Sequence, residues 1–514
     1  MVSADSSKIG RHAFTTVLFS SFGIVTSVLL DAIIMGLYGM GWQTDAYFIA
    51  ITIPMVAITV IALQATRVVQ PIFISKRQSE GENEAWGFVS LILTNGTTFF
   101  ASFALLGALV SPIIIGIQAI GSGAASLTLS TKLSVMFFLI LPLYIPIAIM
   151  RVVLNSLGSF GLPASMKFIE TAFKILFVLL LGRQIGVMAL PLGMFCGALC
   201  QISMYYIALR NKGYRFRPVF RFFDPDLVNT YRLMVFPLVG QLCQVVVELV
   251  NNAFASMLGS GNVSALRLAT RIIESFGGLL AGSIVLAVMP AIASSVAKGD
   301  FDGAKRDVRQ GLYLLLLVTA PLSIWLALTN RPFIALIYER MRFSAADTAL
   351  VANVLLTMIP YIFLGRLMGL FELPFFARHD TKTPLLGSTT QAALYVVISV
   401  LCIRTLGIYA LTLSRSLSFL AASLLLLHLL RRRIGNLGFG CLRTSLAKVA
   451  WASLVMAFFI LIGARLSALM PAGGFVSQAI ALGVPTLTGG IGLLATLMLV
   501  RVLQPSMVKR ALFR

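Results

Sequence analysis

Charge is scarce in this chain, and negative charge is scarcer still. Asp, Glu, Lys and Arg make up 11% of the 514 residues, under half the roughly 25% of soluble domains. Eighteen acids stand against 40 bases, giving a formal net charge of +22. Histidine is limited to His12, His379 and His428, too far apart in sequence to suggest a catalytic group. The cysteines show no paired spacing. Cys196 and Cys200, one helical turn apart in an apolar run, read as small core residues rather than metal or disulfide partners. No G-x-x-x-x-G-K-[ST] loop is present, which argues against ATP hydrolysis. No enzyme signature, metal site or cofactor is expected. The first apolar run is too long for a signal peptide, and no small-residue cleavage site follows it.

Apolar residues are what the chain has in abundance. They make up 58% of it, and the mean hydropathy is +0.95. A soluble core of this size could not absorb so much apolar surface. The residues fall into long runs near the roughly 20 needed to span a bilayer as helix. They are too long and continuous for barrel strands, which alternate over about 10 residues. Lipid offers the backbone no hydrogen bonds, so helices must supply them internally. The expected fold is an all-α polytopic membrane protein with 14 transmembrane helices. We place them near 13–38, 45–72, 86–116, 131–156, 162–183, 186–209, 228–258, 264–294, 308–329, 347–376, 384–405, 407–430, 443–468 and 478–503.

Basic residues set the orientation. With both termini cytoplasmic, seven of the 40 Lys and Arg fall on the opposite side: Lys132, Arg183, Arg331, Arg340, Arg342, Arg404 and Arg465. That asymmetry follows the positive-inside rule. Attraction to anionic membrane lipid explains "RNKGYRFRPVFRFF" (210–223) and "RRR" (431–433), so the pI of 10.3 implies no nucleic-acid partner.

The chain also repeats itself. At a shift of 220, "DAIIMGLYGMGWQTDAY" (31–47) meets "NNAFASMLGSGNVSALR" (251–267). Gly39 and Gly41 then meet Gly259 and Gly261, and Thr44 meets Ser264. Six helices separate the copies, so the halves enter the membrane in the same sense. Two parallel six-helix repeats are expected to form two lobes, 1–215 and 216–435, with two additional helices in 436–514. Parallel repeats place a binding site at their interface, which helices 1, 2, 7 and 8 should line.

"GMGWQT" reads as the tight turn between helices 1 and 2, with Trp42 suited to the membrane interface. Asp45 is placed to cap helix 2, and Pro54 to bend it. Ionised groups at mid-membrane cost at least about 2.5–3.5 kcal/mol, so they need partners or a function. "RLATRIIES" (267–275) puts Arg267, Arg271 and Glu274 at i, i+4 and i+7, on one helix face. Asp31 and Arg67 add charge from helices 1 and 2, and Glu248, Asn251 and Asn252 lie on helix 7. Two readings stay open. Arg271 and Glu274 form a pair that only locks helices together, or surplus arginines await an anionic substrate. Arginine favours the second, because its fork matches phosphate oxygens and keeps its charge when buried.

Three stretches carry a family resemblance: "GWQTDAYFIAITIP" (41–54), "SALRLATRIIESFGGLLAGSIVLAVMPAIA" (264–293) and "RMRFSAADTALVANVLLTMIPYIFLGRLMGLFELPFFARHDTKTPLLGS" (340–388). The chain resembles the MurJ (MviN) lipid II flippases, within the superfamily that also holds MATE exporters and Wzx polysaccharide flippases. The resemblance implies a bacterial inner-membrane protein with a cationic central cavity between two lobes. It implies a lipid-pyrophosphate-linked saccharide as cargo, turned across the membrane by alternating access. Asp45, Arg271 and Glu274 match positions the family uses. Arg271, Arg267 and Arg67 would hold the pyrophosphate, with Asp45, Glu274 and Asp31 completing the site. Glu248 and Asn251 are the candidates for coupling to sodium or protons. The sequence departs from the family at Ile24 and Leu30, where arginines are expected, after Pro54, where Arg67 is the one charge, and at Asn251, where an aspartate is common. Alternative readings are a flippase for another lipid-linked glycan, a MATE-type cation-coupled drug exporter, and a non-transporting scaffold for cell-envelope synthesis enzymes.

Overall fold

The apolar runs fold as helices. A computed structural model describes residues 23, 25–470 and 474–499, and among them there is no strand. Ile24, His12, the start of the first predicted helix, the end of the last and both termini lie outside the described residues. Among the described residues, ten helical stretches are long and apolar enough to cross a membrane, and two shorter apolar helices, Val25–Tyr38 and Gly282–Ala297, accompany them. Many of their leucines face outward, Leu109 (78% exposed) and Leu401 (72%) among them. In water that surface would be a liability; against lipid tails it costs little. The chain is a multi-pass membrane protein.

The helices divide into two compact units that meet between Ser264 and Ala265. This is a division by packing, whereas the expected lobes, 1–215 and 216–435, divide the chain by sequence repeat. The first unit holds α1 (Val25–Tyr38), α2 (Trp42–Gln64), α3 (Gln70–Ser79), α4 (Glu82–Gln118), α5 (Ala124–Ile140), α6 (Tyr144–Ser156), α7 (Gly161–Ile185), α8 (Ala189–Arg210) and α9 (Pro225–Met257). α10 (Asn262–Phe276) starts at its end. The second unit continues with α11 (Gly282–Ala297), α12 (Phe301–Tyr338), α13 (Ala345–Met358), α14 (Pro360–Phe376), α15 (Lys382–Leu406), α16 (Ile408–Ile434), α17 (Arg443–Ala468) and α18 (Gly474–Leu499).

Three predicted helices are each broken. The run 131–156 is α5 and α6 joined by a 3-10 turn at Leu141–Leu143, because Pro142 has no N–H to continue the ladder. The run 347–376 stops at Met358 and restarts with Pro360 in the first turn of α14, a position where the missing N–H costs nothing. The run 264–294 contains a π-helical segment, Gly277–Ala281. Helix 2 behaves differently. α2 runs through Pro54, and its departure from α geometry comes later, at the π-helical segment Ala65–Val69, which carries Arg67.

Close packing follows small residues. In the first unit, α7 and α8 are antiparallel neighbours turned by Gly186 at φ +62°, a conformation that favours glycine. A Cβ on Gly193 would fall 2.7 Å from the Cα of Lys174, so only glycine lets these two backbones approach. At the other end of this unit, Lys76 bridges Glu80 and Asp226, each at 2.9 Å, and ties α3 to α9. In the second unit, Val288, Val308, Leu315, Phe371 and Leu426 form a core among α11, α12, α14 and α16.

The "FARHDTKTP" stretch has a local explanation. Asp380 Oδ1 accepts the N–H groups of Lys382 and Thr383, both at 3.1 Å, at the start of α15. Its Oδ2 lies 3.2 Å from Arg433 at the end of α16. Burial pulls the Asp380 carboxyl up, but the Thr383 hydrogen bonds and Arg433 outweigh it and hold it below its ordinary range.

Candidate functional site

α10 divides sharply into two faces. Ala265, Leu268, Ala269, Ile272 and Ile273 are buried on one. Arg267 and Arg271 are half-buried on the other, with Glu274 exposed below them. The Arg267 side chain makes no hydrogen bond or ion pair among the described residues. Two further arginines of the same unit join this stripe. Arg415, on α16, is buried, with its guanidinium 4.0 Å from Glu274 and 5.0 Å from the centre of the Tyr361 ring. Arg366, on α14, lies against Gly277, one turn beyond Glu274. A Cβ there would come within 3.2 Å of its guanidinium, so glycine makes room for the cation. Four guanidinium groups therefore gather along one helix face that carries a single carboxylate. Glu372, half-buried on α14, is the remaining acid of that helix. Arginine cannot shed this charge by losing a proton.

Asp45 serves a different purpose. It is buried at 4% exposure in the first turn of α2. The cap of that helix is made by Gly41 and Thr44 instead, with the Gly41 N–H donating to Thr44 Oγ1 at 3.0 Å. The Asp45 carboxylate reaches across to the start of α10. It accepts the Gly261 N–H at 2.6 Å, the Ser264 N–H at 2.8 Å and the Ser264 hydroxyl at 2.6 Å. An acid thus caps a helix that belongs to the other sequence repeat. The free amides and the positive end of the helix dipole favour it there. Thr44 and Ser264, which the 220-residue shift equates, touch each other at 3.1 Å. The expected cap on helix 2 is not what these bonds show; two amides and a hydroxyl at the start of α10 take up both oxygens.

The other candidates are scattered. Asp31 (4% exposed) and Asn251 (4%) are buried, Glu248 is half-buried, and Arg67 is exposed on its π-helical segment. Asn252 is a structural link, donating to Thr52 Oγ1 at 2.9 Å and Gln118 Oε1 at 2.8 Å, so that α9 is fastened to α2 and α4. Sequence reasoning missed Arg415 and the role of Arg366. The signal for Arg415 was a lone arginine in the apolar, serine-rich run "LTLSRSLSFL" (411–420). Among the described residues no group of His, Cys, Asp and Glu could hold a metal ion.

Comparison with known proteins identifies the family and the fold. Residues 34–483 match the model of a family described as "Lipid II flippase MurJ". A relative from Vibrio cholerae serotype O1, described as "Probable lipid II flippase MurJ", is 24% identical over 495 residues, 93% of each chain. Other curated relatives align over little more than half of their own length, 54% and 56%. Among solved structures, "Lipid II flippase MurJ, inward closed conformation" superposes with a TM-score of 0.77 at 19% identity, covering 97% of this chain and 99% of that one. An inward-facing multidrug resistance MATE family transporter superposes at 0.69 with 13% identity, covering 81% and 95%. At such identities the likeness concerns the fold alone, and that fold is shared by transporters of different cargo.

Proposed function

The chain belongs to the MurJ family of lipid II flippases, and from that premise we propose that it turns a polyprenyl-pyrophosphate-linked saccharide, lipid II first among them, across the bacterial inner membrane by alternating access. The carrying observation is the arginine stripe of α10. A pyrophosphate presents several anionic oxygens, and guanidinium forks bind such oxygens in pairs. Arg267 and Arg271 hold the headgroup in this reading, with Arg366 and Arg415 supplying further positive potential. Glu274 offers them an alternative partner when the cargo is absent. A cation-coupled drug exporter would be expected to concentrate carboxylates instead.

Asp45 is the latch between access states. Its bonds to Gly261 and Ser264 fasten the start of α2 to the start of α10, and opening that side requires giving them up. The breaks at Leu141–Leu143, at Ile359 and in the two π-helical segments are the points where helices can flex. In the same reading the full bundle has 14 helices in two parallel repeats of six, with α17 and α18 outside them and both termini cytoplasmic. A saccharide other than that of lipid II is the second reading, carried by Leu30 and by the charge-free stretch after Pro54. Depletion separates the two: one asks which polyprenyl-linked intermediate accumulates on the inner leaflet. Accumulation of lipid II supports the first reading, another lipid-linked glycan the second, and no such intermediate defeats both.

A further inference from the structure

The segment joining α8 to α9 is strapped down rather than looped out. Tyr214 is buried, with its hydroxyl 3.1 Å from Ser90 Oγ and its ring 5.3 Å from that of Trp86. Five residues on, the Val219 N–H donates to Thr94 Oγ1 at 3.2 Å, and its carbonyl accepts from Asn95 Nδ2 at 2.8 Å. Both fastenings are to α4. Between and beyond them the strap presents Phe216, Phe220, Phe222 and Phe223 outward, Phe223 being 93% exposed. Beside it opens a groove of about 610 Å³, bounded by Thr97, Thr98, Met150, Ser203, Phe216 and Phe220. Its wall is apolar with a few hydroxyls.

Charge around the groove is of one sign. Arg210, Lys212, Arg215, Arg217 and Arg221 are all exposed, and none of their side chains makes an ion pair or hydrogen bond among the described residues. The nearest acids in sequence are engaged elsewhere. Asp224 caps α9 by accepting the Asp226 N–H at 3.0 Å, and Asp226 pairs with Lys76 at 2.9 Å. Exposed phenylalanines among unpaired arginines suit the boundary between headgroups and acyl chains.

We propose that this strap and groove bind one anionic glycerophospholipid, an acyl chain lying in the groove and the phosphate held by Arg215, Arg217 and Arg221. The ligand class follows from the combination: an apolar slot for a chain, hydroxyls for the ester region, and uncompensated guanidinium groups for a phosphate. None of these residues belongs to the α10 stripe, so the two proposed sites share no side chain.

Native mass spectrometry of the full-length protein in detergent tests this, with phosphatidylglycerol and phosphatidylcholine as probes. The wild type should retain phosphatidylglycerol preferentially. The combined variant Arg215→Gln, Arg217→Gln, Arg221→Gln should bind it roughly tenfold more weakly or worse. Thr98→Trp, which fills the groove without touching charge, should weaken it similarly. Equal retention of the two lipids by the wild type overturns the proposal. So does wild-type phosphatidylglycerol affinity in either variant; if only the arginines matter, the attraction is that of a surface and not of a groove. Displacement of phosphatidylglycerol by polyprenyl pyrophosphate at lower concentration would make the occupant the cargo's own lipid, and the proposal fails. Should the variants not accumulate, the wild type still decides: added salt must release phosphatidylglycerol and leave phosphatidylcholine in place.

Discussion

Two groups of charges, one in each unit, are built on opposite plans. In the first unit, Glu170 and Lys174 are neighbours on α7 and pair with each other, while Gln201 of α8 donates to the second carboxylate oxygen at 3.2 Å. Gly193 and Gly197 bring α8 against them so closely that a Cβ at Gly193 would sit 2.7 Å from backbone. Acid and base are matched, and space for a ligand is closed off. In the second unit, Arg267 and Arg271 share a face of α10 with Glu274, Arg415 approaches that carboxylate at 4.0 Å, and glycine at 277 leaves room for the Arg366 guanidinium. The lesson concerns compensation, not burial. A matched and tightly packed pair holds helices together, whereas a surplus of one sign is what the proposed anionic cargo would need.

Substitutions can break that contrast. The largest effect on transport is expected from Arg271→Ala in the stripe: flipping should fall roughly a hundredfold or more, the loss of about 3 kcal/mol of charge-assisted bonding. Membrane insertion and accumulation should be unchanged. Complementation of a flippase-deficient strain, read beside protein level, checks both halves. Lys174→Met should do the reverse. It strands a buried carboxylate at a cost of about 3–5 kcal/mol and lowers the amount of folded protein. Adding Glu170→Leu to it should restore accumulation with transport intact; a transport defect in the stable double variant would move that pair from scaffold to machinery.

Asp45→Asn probes the latch. The amide has one acceptor oxygen where the carboxylate has two, and it turns an NH₂ toward donors. A loss of about 1–3 kcal/mol is expected, read as a transport defect with a smaller change in Tm; Ser264→Ala, which removes one bond of three, should be milder. The smallest effect belongs to Asp380→Ala. It frees two amides at the start of α15 for about 1 kcal/mol, a fall in Tm of a few degrees. Because the folded carboxyl titrates below its ordinary range, its stabilisation is present above the pH at which an unfolded Asp ionises. It is lost as pH falls through the lower folded value. The Tm difference between wild type and Asp380→Ala should therefore shrink on acidification.

Much of this was legible in residues because hydropathy and spacing are local. The apolar runs gave the helices, and i, i+4, i+7 spacing put Arg267, Arg271 and Glu274 on one face before any coordinates. The 220-residue shift equated Thr44 with Ser264, which proved to be in contact. What spacing could not give was contact between distant elements. Nothing near Asp45 announces that its carboxylate would cap α10 rather than α2. Arg415 is 141 positions from Glu274 in sequence, and only packing brings the two together. Helix continuity held at the scale of whole spans, 124–156 and 345–376, with Pro142 and Pro360 marking local interruptions inside them.

Binding of a polyprenyl pyrophosphate to the purified full-length protein tests the arginine stripe most directly, comparing the wild type with Arg267→Ala, Arg271→Ala. An anion clamp predicts at least a tenfold loss of affinity with an unaltered melting temperature. Undiminished affinity in the double variant would contradict it and return these arginines to the role that Glu170 and Lys174 already fill.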